Sequence, residues 1–246
     1  MLHIHKLLVA VLGQAVRWRL IAVNAARDVV APRPRRSEVR TLDVDEMGRL
    51  LGASDGSELR LQVLVWLTTG LRRGELLGMK WSDIDRERER LVVARSVEET
   101  RVGVSMKSPK TARSTRVVPL PGTVLGALRE HEVRQKRQRL AAGPAWQDLG
   151  LVFPDEAGGI QRPRNVTKAF GALARRAGIS DVSIHSLRHT HVTELLRAGI
   201  NPKVVSERVG HSSVAFTLQR YAHALPDMQR DAADEAERLV ARMLAR

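Results

Sequence analysis

Ile184-His185-Ser186-Leu187-Arg188-His189-Thr190-His191, followed by Val209-Gly210-His211 and then by Tyr221, is the stretch on which the reading of this chain turns. Tyr221 is the sole tyrosine. It lies ten residues beyond a Gly-His pair, on a short polar helix where a core aromatic is not expected. His and Arg side chains donate to phosphoryl oxygens, and a tyrosine hydroxyl is an oxygen nucleophile. Such a set holds a phosphate and attacks it, provided the rest of the chain supplies a second arginine, a proton donor and a surface for a polyanion.

Composition agrees with that direction. The chain has 246 residues, 43% of them apolar, enough for one large domain with a sizeable core. Its formal net charge is +14, mostly from arginine, whose planar fork pairs two phosphate oxygens at once. That charge favours a polyanionic partner over an ordinary basic surface. With no cysteine there is neither a disulfide framework nor a Cys-based zinc site. The apolar run Leu7–Gly13 is short and soon followed by Arg17 and Arg19, so it reads as helix, with no signal peptide or membrane span. A cytoplasmic location follows.

Outward from the opening stretch, residues 3–24 carry Leu8, Val11, Leu12, Ala15, Val16 and Leu20 at helical spacing. One amphipathic helix cannot make a domain, so residues 1–30 are expected to be the last helix of a domain whose front is absent. Residues 31–40 form a Pro/Arg linker whose arginines either track phosphates or are simply solvated. Asp43 with Glu46 predicts a capped helix start, and Leu59–Thr69 an apolar helix stopped by Gly70. Arg72 and Glu75 share a helical face, as a phosphate clamp or as a surface ion pair; on this fragment alone the ion pair is the simpler reading. Leu91–Val93, Val102–Met106 and Arg116–Leu120 predict a three-stranded antiparallel sheet. Lys107, Lys110 and Arg113 fall in its last turn region, where a lysine reaches into a groove or is solvated; both readings stand. Helices are expected at 121–142, with a basic outer face from Arg134 to Arg139, and at 163–177, where Arg164, Lys168 and Arg175 suit backbone phosphates. Ser183 or His185 opens the next helix, Gly199 stops it, and Asn201-Pro202 opens another. Ser213 caps the helix bearing Tyr221, and residues 226–246 hold an amphipathic tail helix with Leu239, Val240, Met243 and Leu244 on one face. The fold class is α+β, mainly α: a helical catalytic domain over 41–225 with a small sheet.

Together these residues resemble the catalytic domain of the tyrosine recombinases, the phage-integrase family. The matches are Thr69-Gly70-Leu71-Arg72 with Glu75, Lys110-Thr111 ahead of Arg116-Val117-Val118-Pro119-Leu120, His185-Ser186-Leu187-Arg188, Gly210-His211, and Tyr221. Each alone is weak; five in the family order are strong. The first thirty residues are similar to the final helix of the family's core-binding domain, although Asn24-Ala25 stands where Asn-Pro is common. Val209 replaces the usual Leu before Gly-His.

The resemblance implies that Tyr221 attacks a scissile DNA phosphate to give a 3′-phosphotyrosine and a free 5′-hydroxyl. Arg72 and Arg188 then clamp the non-bridging oxygens, and Lys110, with Lys107 as runner-up, protonates the leaving oxygen. His185 acts as general acid/base near the tyrosine, His211 donates to the phosphate, and Glu75 orients the arginines. His189, His191 and His223 are left as structural or solvent-facing. Lys107, Arg113, Arg164, Lys168 and Arg175 are the expected backbone contacts. No metal or cofactor is implied, and no carboxylate pair stands at metal-binding spacing. Double-stranded DNA is the implied partner, bound by a homotetramer, with an excisionase or host DNA-bending protein as accessory; no membrane is involved. Two other readings compete: a truncated, recombination-incompetent DNA-binding remnant of an integrase, and a type IB topoisomerase. The spacing from Gly-His to Tyr favours an integrase over the latter.

Overall fold

A computed structural model describes residues 2–31, 40–107, 115–222 and 228–244. Residues Met1–Val39 and Arg40–Arg246 form two compact units. In the first, helix α1 (Leu2–Arg17) ends a turn earlier than the apolar spacing suggested, and Leu20 is exposed. The chain then folds back on the helix through buried Asn24. Its Nδ2 donates to the Val9 carbonyl at 2.9 Å, and its Oδ1 accepts from Ala26 N. Leu7, Leu8 and Val11 of α1 are exposed.

The second unit opens with α2 (Val44–Ala53), whose Asp43/Glu46 capping box forms as its sequence requires. Helix α3 (Leu59–Thr69) is apolar nearly all round and buries Leu61, Val63, Val65 and Trp66 at the centre of the core. Gly70 ends it in the left-handed conformation, φ 64°. A Cβ at this residue would sit 2.7 Å from His191 Cδ2, so close packing as well as the backbone requires glycine. Helix α4 (Arg73–Leu77) follows at once, with Arg72 as its N-cap and the Glu75 carboxylate accepting from the Arg72 backbone N–H.

The sheet region departs from the expected single three-stranded sheet. Strands β1 (Ile84–Asp85), β2 (Arg90–Val93) and β5 (Arg116–Pro119) pair antiparallel in the order β1-β2-β5, with Leu91 opposite Val118 and Val93 opposite Arg116. Strand β4 (Val104–Lys107) pairs instead with β3 (Ser96–Glu99) in a separate hairpin, Val97 facing Met106. Only Ala94 and Arg95 separate β2 from β3, and the Arg95 guanidinium is tied to buried Asp83. That anchor breaks the run into two strands that enter different sheets. The apolar run at residues 151–153 contributes an isolated bridge between Leu151 and Lys80.

Helices α5 (Gly122–Ala142), α6 (Pro163–Arg176), α7 (Ile184–Arg197), α8 (Pro202–Val209), α9 (Val214–Tyr221) and α10 (Met228–Leu244) complete the unit. Ser183 caps α7, Asn201 caps α8 with Pro202 at its first position, and Ser213 caps α9, each accepting from a first-turn N–H. Helix α7 packs along α3. The Leu42 N–H donates to Thr190 Oγ1 at 2.8 Å, fixing the chain ahead of α2 to α7. Besides the main core there is a second apolar cluster of Val192, Leu196, Val205, Val209 and Tyr221, which binds α7, α8 and α9 together. On α10, Leu239, Val240, Met243 and Leu244 are exposed. Among the described residues no helix is long and apolar enough to cross a membrane.

Candidate active site

The site is assembled from helix ends. A helix leaves its last carbonyls without intrahelical partners, and at the C-terminus of α8 three successive carbonyls each receive a guanidinium. Arg116 Nε donates to Arg208 O at 2.8 Å, Arg188 Nη2 to Val209 O at 2.6 Å, and Arg72 Nη2 to Gly210 O at 2.6 Å. Arg188 reaches across to the end of α3 as well, where Nη1 donates to Gly70 O at 2.6 Å. Gly210 is left-handed, φ 68°, and a Cβ there would lie 3.0 Å from Arg116 Nη1. The Gly-His turn is thus pinned between arginines.

Glu75 holds the cluster together. Its oxygens accept from Arg116 Nη1 and Nη2 at 2.9 and 2.8 Å, from Arg72 Nη1 at 2.8 Å and from the Arg72 backbone N–H at 2.8 Å. Burial would raise its carboxyl, but Arg116, followed by Arg72, outweighs burial and holds it at about 2. The pair Arg72–Glu75 is therefore no isolated surface ion pair: Glu75 is buried, and Arg72 is left half-exposed at the rim. Arg188 is almost fully buried; burial and the neighbouring Arg72 and Arg116 charges lower its pKa to about 10, so it remains a cation at neutral pH.

Around this charge stand three imidazoles and the tyrosine. His185 on α7 is exposed, and its ring meets that of His189, one turn on, at 4.3 Å between centroids. His211 shares a hydrogen bond of 2.7 Å between Nδ1 and Thr217 Oγ1 and stacks on Tyr221 at 6.1 Å. Burial, then the Arg188 and Arg72 charges, lower His211 to about 4; the same causes, with Arg220, lower His185. Tyr221 departs from its sequence reading. It is only 1% exposed, its ring is a member of the α7–α9 apolar cluster, and its hydroxyl hydrogen-bonds to His189 Nδ1. Burial raises its pKa to about 12 although Arg188 and Arg220 oppose the shift.

The structure therefore brings together Arg72, Glu75, His185, Arg188, His211 and Tyr221. Lys110 and Arg113 lie outside the described residues, as does His223. Lys107 pairs with Glu98 on the β3–β4 hairpin. Arg164, Lys168 and Arg175 are exposed on α6, opposite its buried Val166, Phe170 and Leu173. Sequence reasoning missed Arg116, His189, Arg220 and Thr217. Arg116 was legible only as a strand residue, because its carboxylate partner is 41 positions away. His191, left as structural, fits that place: it donates from Nδ1 to Leu67 O at 2.9 Å and accepts from Arg208 Nε at 3.1 Å. Clefts of about 190 Å³ beside Trp81 and Trp146 and about 340 Å³ beside Leu61 and His131 share no residue with the arginine cluster. Among the described residues no group of His, Asp or Glu is placed to hold a metal ion.

A mainly helical domain that gathers three arginines and three histidines around one tyrosine defines a class of site: one that can hold an oxyanion beside a hydroxyl. The family model for the phage integrase family matches residues 40–228. The chain belongs to the phage integrase family. It is 34% identical over 211 residues to a XerC-like tyrosine recombinase of Caldanaerobacter subterraneus subsp. tengcongensis, covering 80% of this chain and 54% of that protein. The Tn1549 transposon integrase in complex with a circular intermediate DNA superposes with a TM-score of 0.78 at 23% identity, over 96% of this chain and 78% of that one. The crystal structure of XerA recombinase superposes with a TM-score of 0.61 at 26% identity, over 86% and 70%. The chain spans about half the length of the curated relatives it matches.

Proposed function

We propose that the chain is a site-specific DNA recombinase that cleaves and rejoins strands through a 3′-phosphotyrosine at Tyr221. The observation that carries this reading is the convergence of Arg72 and Arg188 on the Gly210-His211 turn, next to the chain's one tyrosine. In the reaction the Tyr221 oxygen bonds to phosphorus and the bond to the 5′-oxygen breaks. One phosphodiester replaces another, so rejoining needs no ATP. Arg72 and Arg188 hold the non-bridging oxygens and stabilise charge as it develops. His211, its Nδ1 held by Thr217 Oγ1, is in this reading a further donor to the phosphate through Nε2. Glu75 and Arg116 keep Arg72 in place. Lys110 is the proposed donor to the leaving 5′-oxygen, with Lys107 as its alternative.

Double-stranded DNA is the substrate in this reading. Arg164, Lys168 and Arg175 recur along one exposed stripe of α6, spaced to follow a phosphate backbone. Four protomers would join two duplexes in the cytoplasm, with an excisionase or a host DNA-bending protein setting direction. Residues 1–30 supply, in this reading, a helix of a core-binding domain, and 226–246 a tail helix.

The test is a nicked suicide substrate, which traps the covalent protein–DNA adduct. The chain should form the adduct in excess EDTA, because arginines provide the positive charge, and Tyr221→Phe should abolish it while leaving DNA binding nearly intact. Adduct formation by the Phe variant at the wild-type level, or strict dependence on added Mg²⁺, would overturn the reading.

A further inference from the structure

Tyr221 has its hydroxyl buried and bonded to a side chain with no place in the mechanism above. His189 follows Arg188 directly on α7 and is 9% exposed. Its Nδ1 meets the Tyr221 hydroxyl, its ring lies 5.5 Å from the tyrosine ring, and its other flank is covered by His185 at 4.3 Å. His185 has no hydrogen bond to Tyr221 among the described residues; it is one ring further out. We propose that His189, rather than His185, is the residue that holds the Tyr221 hydroxyl and accepts its proton as the tyrosine attacks phosphorus. The inference rests on the recombinase reading.

The step balances as follows. The Tyr221 oxygen bonds to phosphorus, the phenolic proton passes to His189 Nδ1, the P–O5′ bond breaks, and the 5′-oxygen leaves with a proton from Lys110. Rejoining reverses each transfer. The electrostatics fix the timing. The groups facing His189 are His185 and Arg188 on α7, Arg220 and Tyr221 on α9, and His211 ahead of α9. Burial first, and then these neighbours, lower His189 to about 3, so it is neutral at physiological pH with a lone pair free on one nitrogen. The same burial raises the phenol to about 12. A full transfer ahead of attack is therefore uphill. The proton moves as the P–O bond forms, when the phenolic oxygen loses its basicity. A neutral imidazole whose proton sits on Nε2 is the form this requires.

Single-turnover adduct formation on the nicked duplex tests the role. Loss of a general base typically slows a reaction about 10²- to 10⁴-fold. His189→Asn should fall in that range, its rate should climb roughly tenfold per pH unit above neutrality as direct ionisation takes over, and added imidazole should restore part of it. A His189→Asn rate within about threefold of wild type, with the same pH profile, overturns the proposal. Should the variant fail to fold, ¹⁵N-histidine NMR on the wild-type chain and on Tyr221→Phe decides. The proposal requires His189 to be neutral with its proton on Nε2, and its Nδ1 resonance to shift in the Phe variant. A proton on Nδ1 means that His189 donates to the tyrosine, and the proposal fails. Failure of the recombinase reading looks different: no adduct from the wild-type chain at any pH, with the tautomer result unaffected.

Discussion

Consider Glu75→Gln. The carboxylate accepts two bonds from Arg116, whose side chain is 8% exposed, and two from Arg72. An amide has one acceptor oxygen and turns an NH₂ toward a guanidinium, so the substitution leaves a buried cation without its counter-charge. The carboxyl sits at about 2 against an ordinary 4.5; at about 1.36 kcal/mol per pH unit, that gap is worth about 3 kcal/mol at neutral pH. Breaking a buried pair from one side typically costs roughly 3–5 kcal/mol, which agrees. For a domain of this size about 1 kcal/mol moves Tm by roughly 2–4 °C, so the variant should melt roughly 6–12 °C lower at pH 7. The sign with pH follows from the depressed value. Glu75 contributes in full above about pH 4.5, and its contribution is lost as pH falls through about 2. Wild type and variant should converge across that window, and comparing the two cancels the other carboxylates that titrate there. Thermal melts from pH 7 to pH 2.5, followed by circular dichroism, measure the gap. A variant melting within 1–2 °C of wild type at pH 7 (a margin well below the 6–12 °C expected), with a parallel pH profile, would falsify the assignment of Glu75 as the cluster's counter-charge.

Gly70→Ala places a Cβ 2.7 Å from His191 Cδ2 at φ 64° and should cost at least about 1–2 kcal/mol in chemical denaturation; an unchanged midpoint would refute the close approach. Arg188→Lys, which cannot reach the Gly70 and Val209 carbonyls together, should slow adduct formation about 10²- to 10³-fold. A rate near wild type would remove the guanidinium fork from the mechanism. Leu239→Asp with Met243→Asp on exposed α10 should leave Tm unchanged while weakening assembly on DNA, read by gel shift; intact assembly would show that the tail face is merely solvated.

Much of this arrangement was legible in order along the chain. Local signals held: the Asp43/Glu46 box, the Gly70 stop, the Ser213 cap and the helix spacing through Arg188 all depend on neighbours within a turn or two. Arg72 with Glu75 was visible as a pair, but its burial was not, since that depends on Arg116 arriving from β5 and on the end of α8. The sheet was misjudged for a similar reason. Strand β1 is two residues long, too short for a period to show, and the split between β2 and β3 is enforced by a contact from Arg95 back to Asp83. His189 looked structural because its partner lies 32 residues on, and Tyr221 looked exposed because the apolar residues that bury it, Val192 and Leu196, belong to another helix.

The use of backbone carbonyls as the arginines' anchors explains how so much positive charge is kept in one place. A carboxylate fixes a guanidinium but also cancels it; a carbonyl at a helix C-terminus fixes it through partial charge alone. Here Arg116 and Arg72 share one carboxylate, and Arg188 takes carbonyls only. A guanidinium has five N–H donors, and Arg188 uses two groups on Gly70 and Val209, so it keeps donors and an uncancelled charge. Left-handed Gly70 and Gly210 close α3 and α8, where the Gly70 and Val209 carbonyls meet Arg188. The cluster is thus pre-organised, because its orientation is set by helix ends that are themselves held by the core. In the proposed reaction Arg188 has no carboxylate to give up to an oxyanion, and its donors need not reorient as charge moves onto the phosphoryl oxygens, which is the condition under which such groups lower a barrier most.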